Sequence, residues 1–173
     1  MQIAHRRAVY FRDWSWKGIE AWDGLIDLCS GCGGFCHTEL LFKNGKSFTS
    51  TTQFDASTVV YPSPRSHGGP IIRRINFVNR EWLFTDVPVS DKQESEMYDA
   101  CIKLIDESVA ENGGYDFTGV ARFVFPFMQE HKKDWFCTES VVHILQTKNF
   151  FRGMKAWTIS PNRLVKLCQN GVI

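Results

Sequence analysis

The sequence lacks an excess of charge of either sign, and it lacks any long apolar run. Its 20 lysines and arginines nearly balance 19 aspartates and glutamates, for a formal net charge of +1, which offers no broad attraction to nucleic acid. No apolar stretch approaches the ~20 residues of a membrane-spanning helix, and the segment MQIAHRRAVYFRDW has charges where a signal peptide carries its apolar part. We therefore expect a cytoplasmic protein with no signal peptide, no membrane span and no nucleic-acid partner.

The sequence does contain ample material for one core. Apolar residues make up 43% of its 173 residues and aromatic residues 14%, proportions typical of a folded domain rather than a disordered chain. The length suits one domain, and no internal repeat divides it. We predict a single domain over residues 1–173.

Local patterns predict both strands and helices. Strands are predicted at 8–11, 35–42, 47–54, 71–77 and 82–87, with Asn44-Gly45 as the turn of a hairpin between the second and third. Helices are predicted at 18–28, from a Ser90–Gln93 capping box to 109, at 137–146, and at 163–168 after Ser160-Pro161. Glycines and prolines predict loops at 30–34 and 61–70, and short pieces are predicted around 121–125.

The six cysteines lie at positions 29, 32, 36, 101, 137 and 168. In the absence of an export signal, thiols are expected rather than a disulfide scaffold. Cys101 and Cys168 fall on the apolar stripes of predicted helices, which indicates core positions.

Cys137 and His37 occupy two environments that suit a reactive cysteine-histidine pair. Cys137 begins a predicted helix, where unpaired N–H groups and partial positive charge lower the pKa of a thiol and can bind an oxyanion. His37 lies on a strand that follows the glycine-rich loop, and Glu39 shares its face of that strand. Spacing alone also fits a structural role for each residue. Glu39 is placed either to orient the imidazole or to bind substrate.

Four segments, in this order along the chain, carry a resemblance to a known family: FCHTELLFKNGKSF, YDFTG, WFCTE and ISPNRL. The sequence resembles the permuted papain-like cysteine hydrolases, in particular the YiiX/YaeF branch of the NlpC-type superfamily and its phage-encoded members. A pattern S-H-x-E-[LIV] supplies the histidine early in that family, and W-x-C-[ST]-E supplies the nucleophile late. The resemblance spans residues 8 to 165, nearly the whole chain.

The resemblance implies an α+β, papain-like fold, with an antiparallel sheet of five or six strands and the Cys137 helix packed across it. It implies a thiol hydrolase without a cofactor that cleaves an amide, peptide or ester bond through a covalent acyl-enzyme. Cys137 is then the nucleophile, His37 the general base and acid, and Glu39 the third member, with Thr49 and Ser47 as alternatives. A phage-encoded member would act in the host cytoplasm on a peptide, amide or acyl substrate.

Two features keep other interpretations open. Cys36 stands where the family commonly has serine, and Cys29, Cys32, Cys36 and His37 together match the ligand types of a tetrahedral zinc site. Against zinc, a strand places Cys36 and His37 on opposite faces, and a metal-bound His37 cannot serve as a base. The alternatives are a zinc-stabilised binding module and an inactive hydrolase-like binding domain. His67, beside Gly68 and Gly69, is a further candidate for substrate contact.

Overall fold

The structure is a computed structural model that describes residues 1–8, 26–28, 33–52, 56–62, 67–77, 81–123, 125 and 133–172. Several predictions fall outside these residues: most of the strand at 8–11, the first part of the helix at 18–28, and the two cysteines Cys29 and Cys32. Residues 26–28 are helical, as predicted.

Six strands in the described part of the chain form one antiparallel sheet. They are β1 (Gln2–Arg7), β2 (Phe35–Leu41), β3 (Ser47–Thr51), β4 (Val59–Tyr61), β5 (Gly69–Arg73) and β6 (Trp82–Asp86). Their spatial order is β4-β5-β3-β2-β1-β6. The predicted α+β class and the antiparallel sheet are confirmed.

Besides the helical residues 26–28, four α-helices are described, α1 (Asp91–Ala110), α2 (Phe117–Ala121), α3 (Cys137–Gln146) and α4 (Pro161–Gln169), together with 3-10 turns at Ala56–Thr58 and Ala156–Thr158. The capping box predicted for α1 is present, since Ser90 and Gln93 bond each other's backbone N–H groups. Ser160 caps α4 by accepting a hydrogen bond from the Arg163 N–H. None of the described helices is both long and apolar enough to cross a bilayer.

The core lies between one face of the sheet and the helices. Apolar side chains from the central strands meet those from α1 and α3, including the fully buried Ile3, Leu40, Phe48, Met97, Ile105, Ile144 and Leu145. Burying a large apolar side chain stabilises the fold by about 1.5–3 kcal/mol. This packing fixes α3, and hence Cys137 at its start, against the centre of the sheet.

The strands β2 and β3 pair only next to their turn, at Leu40–Phe48 and Leu41–Ser47. Farther from the turn, the N-terminal end of α3 contacts both strands. Thr138 Oγ1 lies 3.5 Å from Thr38 Oγ1 of β2. The hydroxyl of Ser50 in β3 donates to the Trp135 carbonyl. The start of α3 is therefore held where the two central strands separate.

Three strand predictions differ from the structure. The strand β1 is not predicted from the sequence; it ends at Arg7, and Ala8 lies beyond it. This polar strand is stabilised by pairing on both sides, with β2 and β6. The strand β4 is not predicted either, and β5 occupies 69–73 rather than 71–77. Pro70 is tolerated in β5 because β4 pairs with that strand only at Arg73 and Ile72, beyond the proline.

Of the short helical or extended pieces expected around 121–125, the structure has a helix that lies earlier in the chain, at α2. Asp116 sets its start, since its carboxylate accepts a 2.6 Å hydrogen bond from the Gly119 N–H. Arg122 also donates to that carboxylate. The capping aspartate, rather than the apolar residues after it, therefore decides where this helix begins.

Candidate active site

Cys137 is the first residue of α3, and its thiol is buried, with 1% of the residue exposed. The residue before it, Phe136, is extended, and its side chain makes no capping hydrogen bond to the first turn of the helix. The sulfur is hydrogen-bonded to His37, to the Thr138 hydroxyl at 3.7 Å, and to the backbone N–H of Thr38. Cys137 thus combines a helix N-terminus with three polar partners for its sulfur.

His37 is held on its other side by two acceptors. Its Nε2 lies 3.2 Å from Glu39 Oε1 and 3.3 Å from Thr49 Oγ1. The Thr49 hydroxyl donates its hydrogen to the Thr38 carbonyl at 2.8 Å, so its oxygen acts as an acceptor toward the imidazole. A hydrogen on Nε2 satisfies both acceptors. The nitrogen left for the Cys137 thiol is then Nδ1.

Glu39 is clamped between His37 and a residue that the sequence analysis did not predict, Arg73. The Arg73 guanidinium, from β5, donates to Glu39 Oε1, the same oxygen that faces His37. The Glu39 side chain is fully buried and that of Arg73 is 11% exposed. Burial by itself would raise the pKa of Glu39, but the charge of Arg73 and the bond to His37 outweigh it and lower that pKa to about 2. Glu39 is therefore a carboxylate at every physiological pH.

The thiol and the imidazole shift each other's pKa in opposite directions. Burial would lower the pKa of His37. The Cys137 charge and its hydrogen bond to the ring outweigh burial, and Glu39 adds a smaller effect, so that the pKa of His37 is raised to about 9. Burial would raise the pKa of Cys137, but His37, Thr138 and the Thr38 backbone lower it below its usual value. These opposite shifts favour a thiolate beside an imidazolium over the neutral pair.

Access to the site is through the imidazole side. The His37 side chain is 13% exposed, whereas Cys137 is almost fully covered. Trp82 of β6 stands edge-on to the His37 ring, with centroids 6.3 Å apart and an angle of 73° between the planes. Trp82 and His37 are both register partners of Arg6 in β1, so the two rings lie along one row of the sheet. This row limits the movement of the imidazole.

The two alternative third members differ in position. Thr49 contacts His37 Nε2 directly. The Ser47 hydroxyl instead points to the Arg73 carbonyl, at 3.5 Å. Of the three residues named from the sequence, Glu39 and Thr49 reach the imidazole, and Glu39 is the one that carries charge.

The zinc alternative receives no geometric support from the part of the chain that is described. The Cys36 sulfur lies 3.8 Å from the Arg6 carbonyl, and the His37 ring faces Cys137, Glu39 and Thr49. No group of three or more histidine, cysteine, aspartate or glutamate side chains that could hold a metal occurs among the described residues. Cys29 and Cys32 lie outside those residues.

Arg73 carried no signal that sequence reasoning could use. It is one arginine at the end of a strand, and Glu39 is on β2, with β3 between the two strands. Only the strand order, which is not the chain order, brings the guanidinium to the carboxylate. In contrast, Glu39 and His37 are two residues apart on one strand, and their contact follows from the period of a strand.

The fold and the site together define an α+β protein with cysteine, histidine and glutamate side chains joined at a helix N-terminus. Comparison of the chain with family models, with curated proteins and with solved structures finds no match.

Proposed function

We propose that this protein is a papain-like cysteine hydrolase with the histidine before the nucleophile, and that it cleaves an amide, peptide or ester bond through a covalent acyl-enzyme. The observation that supports this most strongly is the position of His37. Its ring hydrogen-bonds to the Cys137 thiol on one side and to the Glu39 carboxylate on the other. Acyl transfer needs this arrangement, in which a base lies between the nucleophile and a carboxylate that orients the base.

In the first step, the Cys137 thiolate attacks the substrate carbonyl carbon and an S–C bond forms. The carbonyl electron pair moves to oxygen, which becomes an oxyanion. The N-terminus of α3, which the Phe136 side chain does not cap, offers backbone N–H groups and a favourable dipole to that charge. Removal of a single such donor from an oxyanion site costs about 10²–10³ in rate in other enzymes.

In the second step, the oxyanion collapses and the bond to the leaving amine or alcohol breaks. His37 gives its Nδ1 proton to the leaving group, which departs neutral, and a thioester remains on Cys137. His37 then takes a proton from water as that water attacks the thioester carbonyl. The acid is released as the C–S bond breaks, and the thiolate–imidazolium pair is restored.

Glu39 and Arg73 act in this cycle by holding the imidazole in position. The carboxylate holds the Nε2 hydrogen and so keeps Nδ1 directed at the sulfur. Arg73 keeps the carboxylate ionised and fixed, because its charge lowers the pKa of Glu39. Neither residue needs to exchange a proton during turnover.

The test is labelling with iodoacetamide near neutral pH, followed by mapping of the modified residue. Iodoacetamide reacts with thiolates and not with thiols. Two other cysteines of the chain, Cys101 and Cys168, serve as internal controls. Burial raises the pKa of Cys101, and burial raises that of Cys168 to about 12. We expect preferential modification at Cys137 and its loss in a His37→Ala variant. Equal labelling of the three cysteines, or unchanged labelling in that variant, would refute the activated pair.

A further inference from the structure

Trp135, two residues before the nucleophile, is hydrogen-bonded at both its backbone N–H and its carbonyl. The N–H donates to the Gly114 carbonyl at 3.1 Å. The carbonyl accepts two hydrogen bonds, one from the Asp116 N–H at 3.2 Å and one from the Ser50 hydroxyl. Of these three partners, Ser50 alone bonds through its side chain. A substitution at Ser50 can therefore remove one bond to the Trp135 carbonyl and leave the two backbone bonds in place.

The direction of the Cys137 N–H is set by the peptide group that joins Cys137 to Phe136. A trans peptide group is planar, so its N–H points opposite to its carbonyl. The Phe136 carbonyl accepts a 3.1 Å hydrogen bond from the Ser140 N–H, and it therefore points along α3 toward the C-terminus of that helix. The Cys137 N–H consequently points out of the helix N-terminus, where a helix leaves its first donors without intrahelical acceptors. It is placed to meet an oxyanion on the carbon that the sulfur attacks.

Phe136 is held between these two sets of contacts. The residue is 1% exposed, and its ring packs edge-on against Phe123, with centroids 5.4 Å apart. Its carbonyl is fixed by the helix, and the peptide group on its other side is fixed through the Trp135 carbonyl. A rotation of that second peptide group would move Phe136 and change the direction of the Cys137 N–H. The bond from Ser50 opposes this rotation.

The strand β3 connects this segment to the imidazole. Thr49 Oγ1 lies 3.3 Å from His37 Nε2, and the next residue, Ser50, donates to the Trp135 carbonyl. Successive side chains of a strand point to opposite faces, so two adjacent residues of β3 contact the two halves of the site. Ser50 is fully buried, and a hydrogen bond away from water is stronger than one in solvent. One strand thus sets the nucleophile segment relative to the histidine.

We propose that Ser50 is a positioning residue for the oxyanion site, because its bond to the Trp135 carbonyl directs the Cys137 N–H at the oxygen of the tetrahedral intermediate. This inference rests on the proposed hydrolase function. Ser50 acts through the Trp135 backbone and not on the sulfur. Its loss should therefore leave the thiolate intact and slow only those reactions that form an oxyanion.

The experiment compares two reactions of the Cys137 thiolate that differ in this respect. With iodoacetamide, an S–C bond forms to a methylene carbon as the C–I bond breaks, and iodide leaves with the electron pair, so no oxyanion arises. With p-nitrophenyl acetate, the S–C bond forms at a carbonyl carbon, an oxyanion forms and collapses, and p-nitrophenolate leaves with the electron pair. That leaving group needs no proton, so the comparison does not depend on His37 as an acid.

Alkylation is followed by mapping the peptide that contains Cys137. Acylation is followed as the initial release of p-nitrophenolate, from which the release by Cys137→Ala is subtracted so that other nucleophiles of the chain do not contribute. The readout is the ratio of the acylation rate constant to the alkylation rate constant. A smaller fraction of thiolate or of folded protein lowers both rate constants and leaves this ratio unchanged.

Ser50→Ala should lower the ratio at least about tenfold, since a displacement of about 1 Å in a reacting geometry can cost about 10²-fold in rate. Its alkylation rate constant should equal that of the wild-type protein. Ser108→Ala is the control, because Ser108 is also buried, at 3% exposed, and its hydroxyl has no hydrogen-bond partner among the described residues. The control should keep the wild-type ratio.

A second pair of variants, Ser50→Thr and Ser50→Val, keeps the test valid if Ser50→Ala fails to fold. Threonine and valine have nearly the same shape and differ in the hydroxyl, so the comparison isolates the hydrogen bond. The ratio should be at least about fivefold higher for Ser50→Thr than for Ser50→Val. Circular dichroism checks that both variants are folded.

The outcomes separate this inference from the proposed function. An unchanged ratio in Ser50→Ala, or equal ratios in Ser50→Thr and Ser50→Val, would overturn the role of Ser50 and leave the hydrolase in place. A parallel fall of both rate constants would show that Ser50 supports only the fold, and would overturn the inference as well. Absence of either reaction at Cys137 in the wild-type protein would overturn the hydrolase, and the role of Ser50 with it.

Discussion

Arg73 and His37 share a single oxygen atom, Glu39 Oε1, to which both hydrogen-bond in the interior of the sheet. The carboxylate is therefore balanced by a permanent cation, and it stabilises the imidazolium less than an isolated carboxylate would. This moderation matters because His37 must both hold a proton and give it to a leaving group.

Glu39→Gln should lower kcat/KM by roughly 10²–10⁴-fold while keeping the shape of the side chain, because the ring loses its charged acceptor. Glu39 raises the pKa of His37, so the alkaline limb of the pH–rate profile should move to lower pH. Ser47→Ala is the control, since that hydroxyl faces the Arg73 carbonyl rather than the imidazole. An unchanged alkaline limb would show that Glu39 does not influence the pKa of His37 and would contradict its assigned role.

Arg73→Met should shift the same limb in the opposite direction. Without the guanidinium, the Glu39 charge acts on His37 unopposed, so the pKa of His37 rises above its present value of about 9. Breaking this buried pair should also cost about 3 kcal/mol in the free energy of unfolding. Arg73→Lys should recover part of both effects. Chemical denaturation and the pH–rate profile measure them, and a downward shift in Arg73→Met would contradict the assigned role.

Cys137→Ala should abolish turnover and leave the fold intact, as judged by circular dichroism. It should also lower the pKa of His37, because the thiolate is the largest influence that raises it and burial opposes it. The His37 ring signal in a proton NMR titration measures this shift. Undiminished hydrolysis by the variant would end the enzymatic proposal, and a His37 pKa still near 9 would show that the two groups do not interact.

The wild-type pH–rate profile should fall on the alkaline side with an apparent pKa near 9, as the imidazolium loses the proton that it gives to the leaving group. The acid limb should lie below the usual pKa of a cysteine, because protonation of the Cys137 thiolate removes the nucleophile. These two values belong to the coupled pair rather than to either residue alone. A single limb with a pKa near 6.5 would indicate an isolated histidine.

Treatment with a chelator should leave activity and the unfolding temperature unchanged, since His37 is engaged by Cys137 and Glu39. Elemental analysis of the purified protein checks this directly. One equivalent of zinc, lost together with the fold on chelation, would instead favour the binding module built on Cys29, Cys32, Cys36 and His37.

The parts of the fold that the sequence predicted well are those with local signals. The capping box at Ser90 and the apolar spacing after it fix α1, and the period of β2 aligns Glu39 with His37. The parts that it missed depend on partners far along the chain. The strand β1 is polar in sequence and forms because β2 and β6 pair with both its edges. Arg73 reaches Glu39 only because β5 and β2 flank β3 in space.

The order of the elements along the chain also governs when the site can come together during synthesis. All six described strands lie between residues 2 and 86, and Cys137 follows long after the last of them. During translation His37, Glu39 and Arg73 therefore emerge from the ribosome well before Cys137. A chain that stops short of Cys137 carries no activated nucleophile, and the thiol acquires its reactivity only when α3 closes onto the sheet.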